Sequence, residues 1–241
     1  MLNSLELTGR ARTHVTESAQ LGAAMHAPAA HALIGLKEAA RSAGIDVAVL
    51  SAYRDLERQT AIWNAKFRGE SPLLGRDGAE LDRSRLSERA LIDAILAWSA
   101  LPGASRHHWG TDADVIDLAA MPPDYRPQLV QREFAPGAVF GKLSAWLAKH
   151  AAEFGFFRPY GSDRDGVMPE PWHLSYAPLA VPALEALTPE VLAEAVGSSS
   201  MDGRELVLAR LPELYQRYVL AIDPAPSVAS RRSRRGADSG P

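Results

Sequence analysis

The stretch from Ser105 to Val115, SRHHWGTDADV, holds two adjacent histidines and two aspartates within eleven residues. Neighbouring side chains on an extended chain point to opposite faces, so His107 and His108 cannot easily serve one site. Gly110 marks a turn, and DADVIDL after it alternates as a strand, with Asp112 and Asp114 on one face and Ala113 and Val115 on the other. One histidine before the turn and one aspartate after it can therefore converge. Spacing alone does not choose between His107 and His108, or between Asp112 and Asp114.

Working outward from this turn, helices and strands mix without the regular alternation of a doubly wound sheet. HALIGLKEAARSAG has helical spacing, with Leu33, Leu36 and Ala40 on one side and Gly44 as its stop. IDVAVLSAYR reads as a strand ending at Ser51 to Arg54, and DLERQTAIWNAKF as a second helix before the Gly/Pro-punctuated loop RGESPLLGRDGAE. RLSERALIDAILAWSA and GKLSAWLAKHAAEFG are two further helices, and EPWHLSYAPL another strand. The pattern predicts an α+β fold: a small antiparallel sheet flanked by helices. After Leu187, TPEVLAEAV and GRELVLARLPELYQRYVLAID predict a C-terminal helical hairpin with an apolar stripe of Val207, Leu211, Leu214 and Tyr218, packed on the main domain or on a second subunit. The chain thus divides into a main domain over 1–187, a helical extension over 188–223 and a disordered basic tail over 224–241.

Composition narrows the chemistry. The 241 residues are 46% hydrophobic, enough for a substantial core, and the net charge of −3 predicts neither a nucleic-acid nor a membrane partner. There is no cysteine, so disulfides and thiolate sites are excluded and a metal must be held by His, Asp or Glu. MLNSLELTGRARTHVTE has no apolar stretch of signal-peptide kind, which gives the expectation of a cytoplasmic protein. None of this fixes the oligomeric state.

A second constellation supplies the partners that the first lacks. EPWHLSY places Glu170 three residues before His173, with Pro171 forcing extended backbone at Glu170. Trp172, Leu174 and Tyr176 then share one strand face and His173 and Ser175 the other. Two distant segments now offer His, Asp, His and a further Glu. These are the parts of a hydrolytic zinc site, with three protein ligands, an open position for water and a carboxylate base.

These motifs resemble those of the VanY/VanX D-alanyl-D-alanine carboxypeptidases, a family of zinc metallopeptidases with D,D- and L,D-specific members. SRHHWGTDAD is similar to their Ser-x-His-x6-Asp element and EPWH to their Glu-x-x-His element. SAYR, Ser51 to Arg54, is similar to an upstream arginine motif, with Gln59 at the glutamine position that follows. The resemblance covers roughly residues 30 to 180, in order. One departure is Asp112, where many relatives have alanine. By motif position the resemblance implies zinc ligands His107, Asp114 and His173, with Glu170 as the base. His108 is then a packing or hydrogen-bonding residue beside Trp109. His14, His26, His31 and His150 read as helix or surface residues, and Tyr53 and Trp172 as packing residues.

The same resemblance implies roles around the substrate. Arg54, permanently charged, suits either a developing oxyanion or a substrate carboxylate. Gln59 and Ser105 are expected to contact the scissile carbonyl and terminal carboxylate, and Tyr160 to touch the substrate. The implied substrates are peptidoglycan peptides ending in D-alanine. In the cytosol a D,D-carboxypeptidase would destroy the pentapeptide needed for wall synthesis, so the expectation is an L,D-carboxypeptidase on recycled tetrapeptides. Its alternatives are D,D activity on pentapeptides, an endopeptidase, or a non-catalytic zinc-containing binding domain like that of hedgehog proteins. Glu170 and Arg54 argue against the last.

Overall fold

The alternation in DADVIDL becomes a central strand. The computed structural model describes residues 1–226, so most of the basic tail lies outside the described residues. A short helix α1 (Ser4–Leu7) precedes the hairpin of β1 (Thr16–Ser18) and β2 (Ala23–Met25). Strands β3 (Val47–Ser51), β4 (Asp112–Asp117), β5 (Phe156–Phe157) and β6 (His173–Tyr176) pair antiparallel in the order β3-β4-β6-β5. In that register Ser51 pairs with Asp114, Asp114 with His173, and Asp112 with Ser175. The start of the arginine motif, the second aspartate and the distant histidine are therefore brought side by side.

Local sequence explains the helices that frame this sheet. Helix α2 (Ala27–Arg41) buries Leu33, Leu36 and Ala40, and Gly44 follows it at φ 67°. The carboxylate of Asp55 caps α3 (Leu56–Arg68) by accepting from the Arg58 N–H. Gly69, at φ 79°, ends it in the left-handed conformation that glycine adopts without steric cost. Ser87 caps α4 (Glu88–Leu96), and α5 (Gly141–His150) runs through a 3-10 turn to Gly155.

The C-terminal helices are more broken than a two-helix hairpin. After α6 (Ala177–Ala186) and α7 (Pro189–Ser198), the long apolar-periodic stretch splits into α8 (Arg204–Ala209), α9 (Leu211–Leu214) and a π-helical turn over Tyr215–Leu220. The cause is Pro212, which lacks the N–H needed to continue the ladder.

Two apolar clusters hold these pieces. One gathers α2, the sheet and α5 around Leu33, Leu36, Val115, Phe140 and Leu174. The other joins Trp63 of α3 and Ile92 of α4 to Leu192, Val207 and Leu211, so the C-terminal helices pack on the chain's own core. Ala113 and Val115 point into the first cluster with Trp172 and Leu174, as the strand alternation requires. The opposite faces of β4 and β6 are left to Asp112, Asp114, His173 and Ser175. Those faces carry the buried polar groups.

Candidate active site

The His-His-Trp stretch forms a 3-10 turn, Arg106–Trp109, closed by Gly110 at φ 64°. A side chain at Gly110 would collide with Val15 and stand 2.9 Å from the His26 backbone nitrogen, so the turn needs glycine on two counts. Three bonds fasten this turn to the arginine motif. His107 Nδ1–H donates to the Ala52 carbonyl at 2.6 Å, the Arg54 N–H to the His107 carbonyl at 3.2 Å, and His108 Nδ1–H to the Arg54 carbonyl at 2.6 Å.

These bonds separate the two histidines. With its Nδ1 proton committed to Ala52, His107 presents the Nε2 lone pair to the site. His108 is fully buried and spends both nitrogens structurally, since its Nε2 accepts from the Gly103 N–H at 3.2 Å. Burial pushes its pKa down to about 4, so it stays neutral. His108 is thus the hydrogen-bonding residue. His14 departs from the surface reading: its side chain is 3% exposed and its Nε2–H donates to the His108 carbonyl at 2.8 Å.

His107, Asp114 and His173, all buried, each offer one ligand atom within 4.8 Å of the others. His107 Nε2 lies 3.4 Å from Asp114 Oδ2, and His173 Nδ1 lies 3.3 Å from Asp114 Oδ1. Neither contact is a hydrogen bond, and Asp114 Oδ1 has no hydrogen-bond partner among the described residues. Ligands about 2.0–2.1 Å from a tetrahedral zinc stand about 3.3 Å apart, so this spacing and the orphaned oxygen fit that ion. Electrostatics agree. Burial pushes the Asp114 carboxyl up, but His107 and His173 hold it well below the ordinary range. Burial pushes His173 down, yet the hydrogen bond to Asp112 and the neighbouring carboxylates of Asp114 and Glu170 raise it well above its usual value. The pocket is built to hold a positive charge.

Asp112 acquires a definite place behind the site. It is fully buried. Its Oδ1 accepts from His173 Nε2–H and from Arg106 Nε–H, both at 2.9 Å, and its Oδ2 accepts from the Thr111 hydroxyl at 2.5 Å. Arg106 continues to the Ser175 hydroxyl at 2.6 Å. Burial raises the Asp112 carboxyl, but Arg106, His173 and Thr111 override it and hold it near 2. With its lone pairs so engaged, Asp112 cannot act as a proton acceptor for a substrate. It fixes the His173 tautomer, with the proton on Nε2 and the Nδ1 lone pair in the site.

Glu170 stands beside the triad, its Oε2 3.2 Å from His173 Nδ1 and its N–H donating to the Tyr160 carbonyl at 2.8 Å. A cavity of about 320 Å³ opens over these groups. Arg54, Ser105, Tyr160, Trp172 and Glu170 line it with the triad. The Tyr160 ring meets His173 edge-on at 5.1 Å, and burial pushes its hydroxyl up to about 12. Ser105 is 1% exposed and its Oγ has no hydrogen-bond partner among the described residues.

Gln59 corrects the sequence expectation. It is fully buried and does not line the cavity: its Oε1 accepts from Arg54 Nη1 at 2.7 Å and its Nε2 donates to the Ala100 carbonyl at 2.7 Å. Both polar ends are spent, so Gln59 holds Arg54 in place and is no direct donor to a substrate. Arg106, bonded to Asp112, and Lys66 also line the cavity and belong to neither motif expectation. Lys66 could have been found, because Gln59, Ile62 and Lys66 fall on one face of α3 at helical spacing.

With this geometry in view, comparison with known proteins decides the family. The family model VanY, D-alanyl-D-alanine carboxypeptidase, matches residues 22–179. The chain belongs to the VanY family. It is an enzyme of metallopeptidase type, with both motif segments inside the matched range. An uncharacterised protein of Haemophilus influenzae is 34% identical to this VanY-family chain over 122 residues, 50% of the chain and 93% of the relative. A vancomycin-resistance D,D-pentapeptidase VanY variant in complex with Zn(II) superposes with a TM-score of 0.50 at 23% identity, covering 71% of this chain and 83% of that one. The LD-carboxypeptidase LdcB superposes equally well, at 22% identity over 76% and 78% of the two chains. At such identity these two structures establish the shared fold.

Proposed function

We propose that this chain is a zinc-dependent carboxypeptidase that releases C-terminal D-alanine from peptidoglycan peptides. The observation that carries the reading is the convergence of His107 Nε2, Asp114 and His173 Nδ1 beside Glu170 at the base of one cavity. In this reading His107, Asp114 and His173 hold the ion. When bound, zinc supplies Lewis acidity, polarising the scissile carbonyl and making water acidic near neutral pH. The amide C–N bond breaks and a C–O bond to water forms. Glu170 takes a proton from that water and returns it to the leaving amine. Arg54, steadied by Gln59 and by the Ser51 hydroxyl at 3.1 Å, places a permanent charge where negative charge develops. Ser105 and Tyr160 line the path of the substrate.

Within that class we favour L,D-carboxypeptidase activity on recycled tetrapeptides in the cytosol, where D,D activity would consume pentapeptide precursors. Purified protein incubated with tetra- and pentapeptide muropeptides, followed by mass spectrometry, tests this. Loss of one alanine from the tetrapeptide alone supports the reading, and loss from the pentapeptide alone assigns D,D specificity. Cleavage within cross-linked dimers, with neither stem peptide trimmed, removes the carboxypeptidase reading. Fractionation of cells carrying the tagged chain checks the compartment, and activity outside the cytosol would overturn that part.

A further inference from the structure

The charges lining the cavity do not all find partners among the described residues. Asp114 and Glu170 match the two charges of a bound zinc, and Asp112 matches Arg106 at 2.9 Å. Arg54 and Lys66 remain. Among the described residues Lys66 Nζ makes one hydrogen bond, to the Ser99 hydroxyl at 2.6 Å, and no carboxylate lies within ion-pair distance of it. The half-buried ammonium thus faces the cavity with donors to spare. One polar run joins the two cations along one wall. Arg54 donates to Gln59, Gln59 to the Ala100 carbonyl, and the neighbouring Ser99 accepts from Lys66. The unpartnered Ser105 hydroxyl lines the same cavity.

Hydrolysis of a peptide's last bond brings two negative charges into such a cavity: an oxyanion that develops at the scissile carbon and a carboxylate present from the start. Arg54 donates to the hydroxyl of Ser51, the register partner of Asp114, which places it at the reacting end, whereas Lys66 is anchored on Ser99 of the facing 98–100 segment. Burial lowers the pKa of both cations, and an anionic ligand would reverse that. We infer that Lys66 is the residue that captures the substrate's C-terminal carboxylate, leaving Arg54 for the oxyanion. The inference rests on the carboxypeptidase reading and adds the group that makes the enzyme select free peptide ends. A substrate of any exopeptidase of this kind carries that carboxylate, whatever its other residues.

The test compares a D-alanine-ending tetrapeptide with its C-terminal amide, on wild type, Lys66→Met, Lys66→Arg and Ser99→Ala. Wild type should prefer the acid. Lys66→Met should lose about 10- to 100-fold in kcat/KM on the acid and little on the amide, the range expected for one charge-assisted hydrogen bond. Lys66→Arg should recover part of the preference, and Ser99→Ala should keep it. Calorimetric binding of the two peptides to metal-free protein gives a second readout, in which Lys66→Met should weaken the acid only. Equal losses on acid and amide, or an acid preference abolished by Ser99→Ala, would make Lys66 a structural residue and overturn the inference. So would a loss that follows amidation of another carboxylate of the peptide rather than the terminal one. If wild type binds the acid through Lys66 yet releases no D-alanine, the capture site stands and the proposed reaction falls.

Discussion

Replacing Asp112 by asparagine should weaken zinc binding without touching a ligand. The isosteric amide still offers an oxygen to His173 Nε2–H at the observed 2.9 Å, but without the charge that makes the imidazole a stronger donor to metal. Loss of such an outer partner costs about 10- to 100-fold in metal affinity, which corresponds to about 1.4–2.7 kcal/mol. A second cost falls on folding. Arg106 is 4% exposed and loses its counter-ion, and breaking a buried pair costs about 3–5 kcal/mol. In a chain of this size that lowers Tm by about 6–20 °C. A chelator-competition titration gives the first number and calorimetry on metal-free protein the second. Arg106→Met combined with Asp112→Ala separates them. Removing both charges should restore much of the stability, because the buried unpaired guanidinium is gone, while zinc stays weakly held because His173 still lacks its carboxylate. An Asp112→Asn chain with wild-type zinc affinity, or a double variant that regains it, would refute the role assigned to Asp112.

Further outcomes follow from the same geometry. Glu170→Gln should retain zinc and Tm but lose about 10²–10⁴-fold in turnover, read by metal analysis beside a D-alanine release assay; full activity would move the base elsewhere. His107→Ala should lose both zinc and activity, whereas His108→Ala should keep zinc. The second variant nonetheless loses about 2–4 kcal/mol of stability in denaturant unfolding, having left the Arg54 carbonyl and Gly103 N–H unsatisfied. Gly110→Ala should cost about 2–4 kcal/mol, from positive φ plus the collision with Val15 and the His26 backbone; an unchanged unfolding midpoint would show that the turn relaxes freely.

The period-2 signal in DADVIDL was legible because apolar and acidic residues alternate even though every residue of β4 is buried. EPWHLSY carried the same signal, and the two strands pair in the register that joins Asp114 to His173. What could not be read were contacts without a period. Arg106 reaches Asp112 by folding back across a 3-10 turn, and a spacing of six residues has no fixed meaning outside regular structure. The segment over Gln128, Leu129 and Val130 is organised by one buried carboxylate. Glu133 accepts from the Gln128 and Val130 N–H groups and from the Tyr125 hydroxyl, and Leu129 takes φ 52° beside the cavity. Nothing in the local sequence announces that clasp. Gln59 misled for a different reason, since motif position says which residues sit near a substrate and not which of them turn away from it. Pro212 was visible throughout, and its missing N–H accounts for the broken C-terminal helices.

The cavity sits where the two apolar clusters meet, and each side of it has a separate duty. Asp114 and His173 come from paired strands of the sheet, and His107 from a turn bonded to the end of β3. Each nitrogen that faces the proposed metal site is oriented from behind, by the Ala52 carbonyl or the Asp112 carboxylate. Such ligands lose little entropy on binding an ion, because their rotamers and tautomers are set before it arrives. The opposite wall is α3 with the 98–100 segment, and its charged groups are long side chains that bond to one another and to loop backbone. On the proposed reading, substitutions on that wall change what the cavity accepts while leaving His107, Asp114 and His173 and their hydrogen bonds intact. Selectivity can therefore change through α3 and its facing loops while the proposed metal site, on β4, β6 and the His107 turn, keeps its geometry.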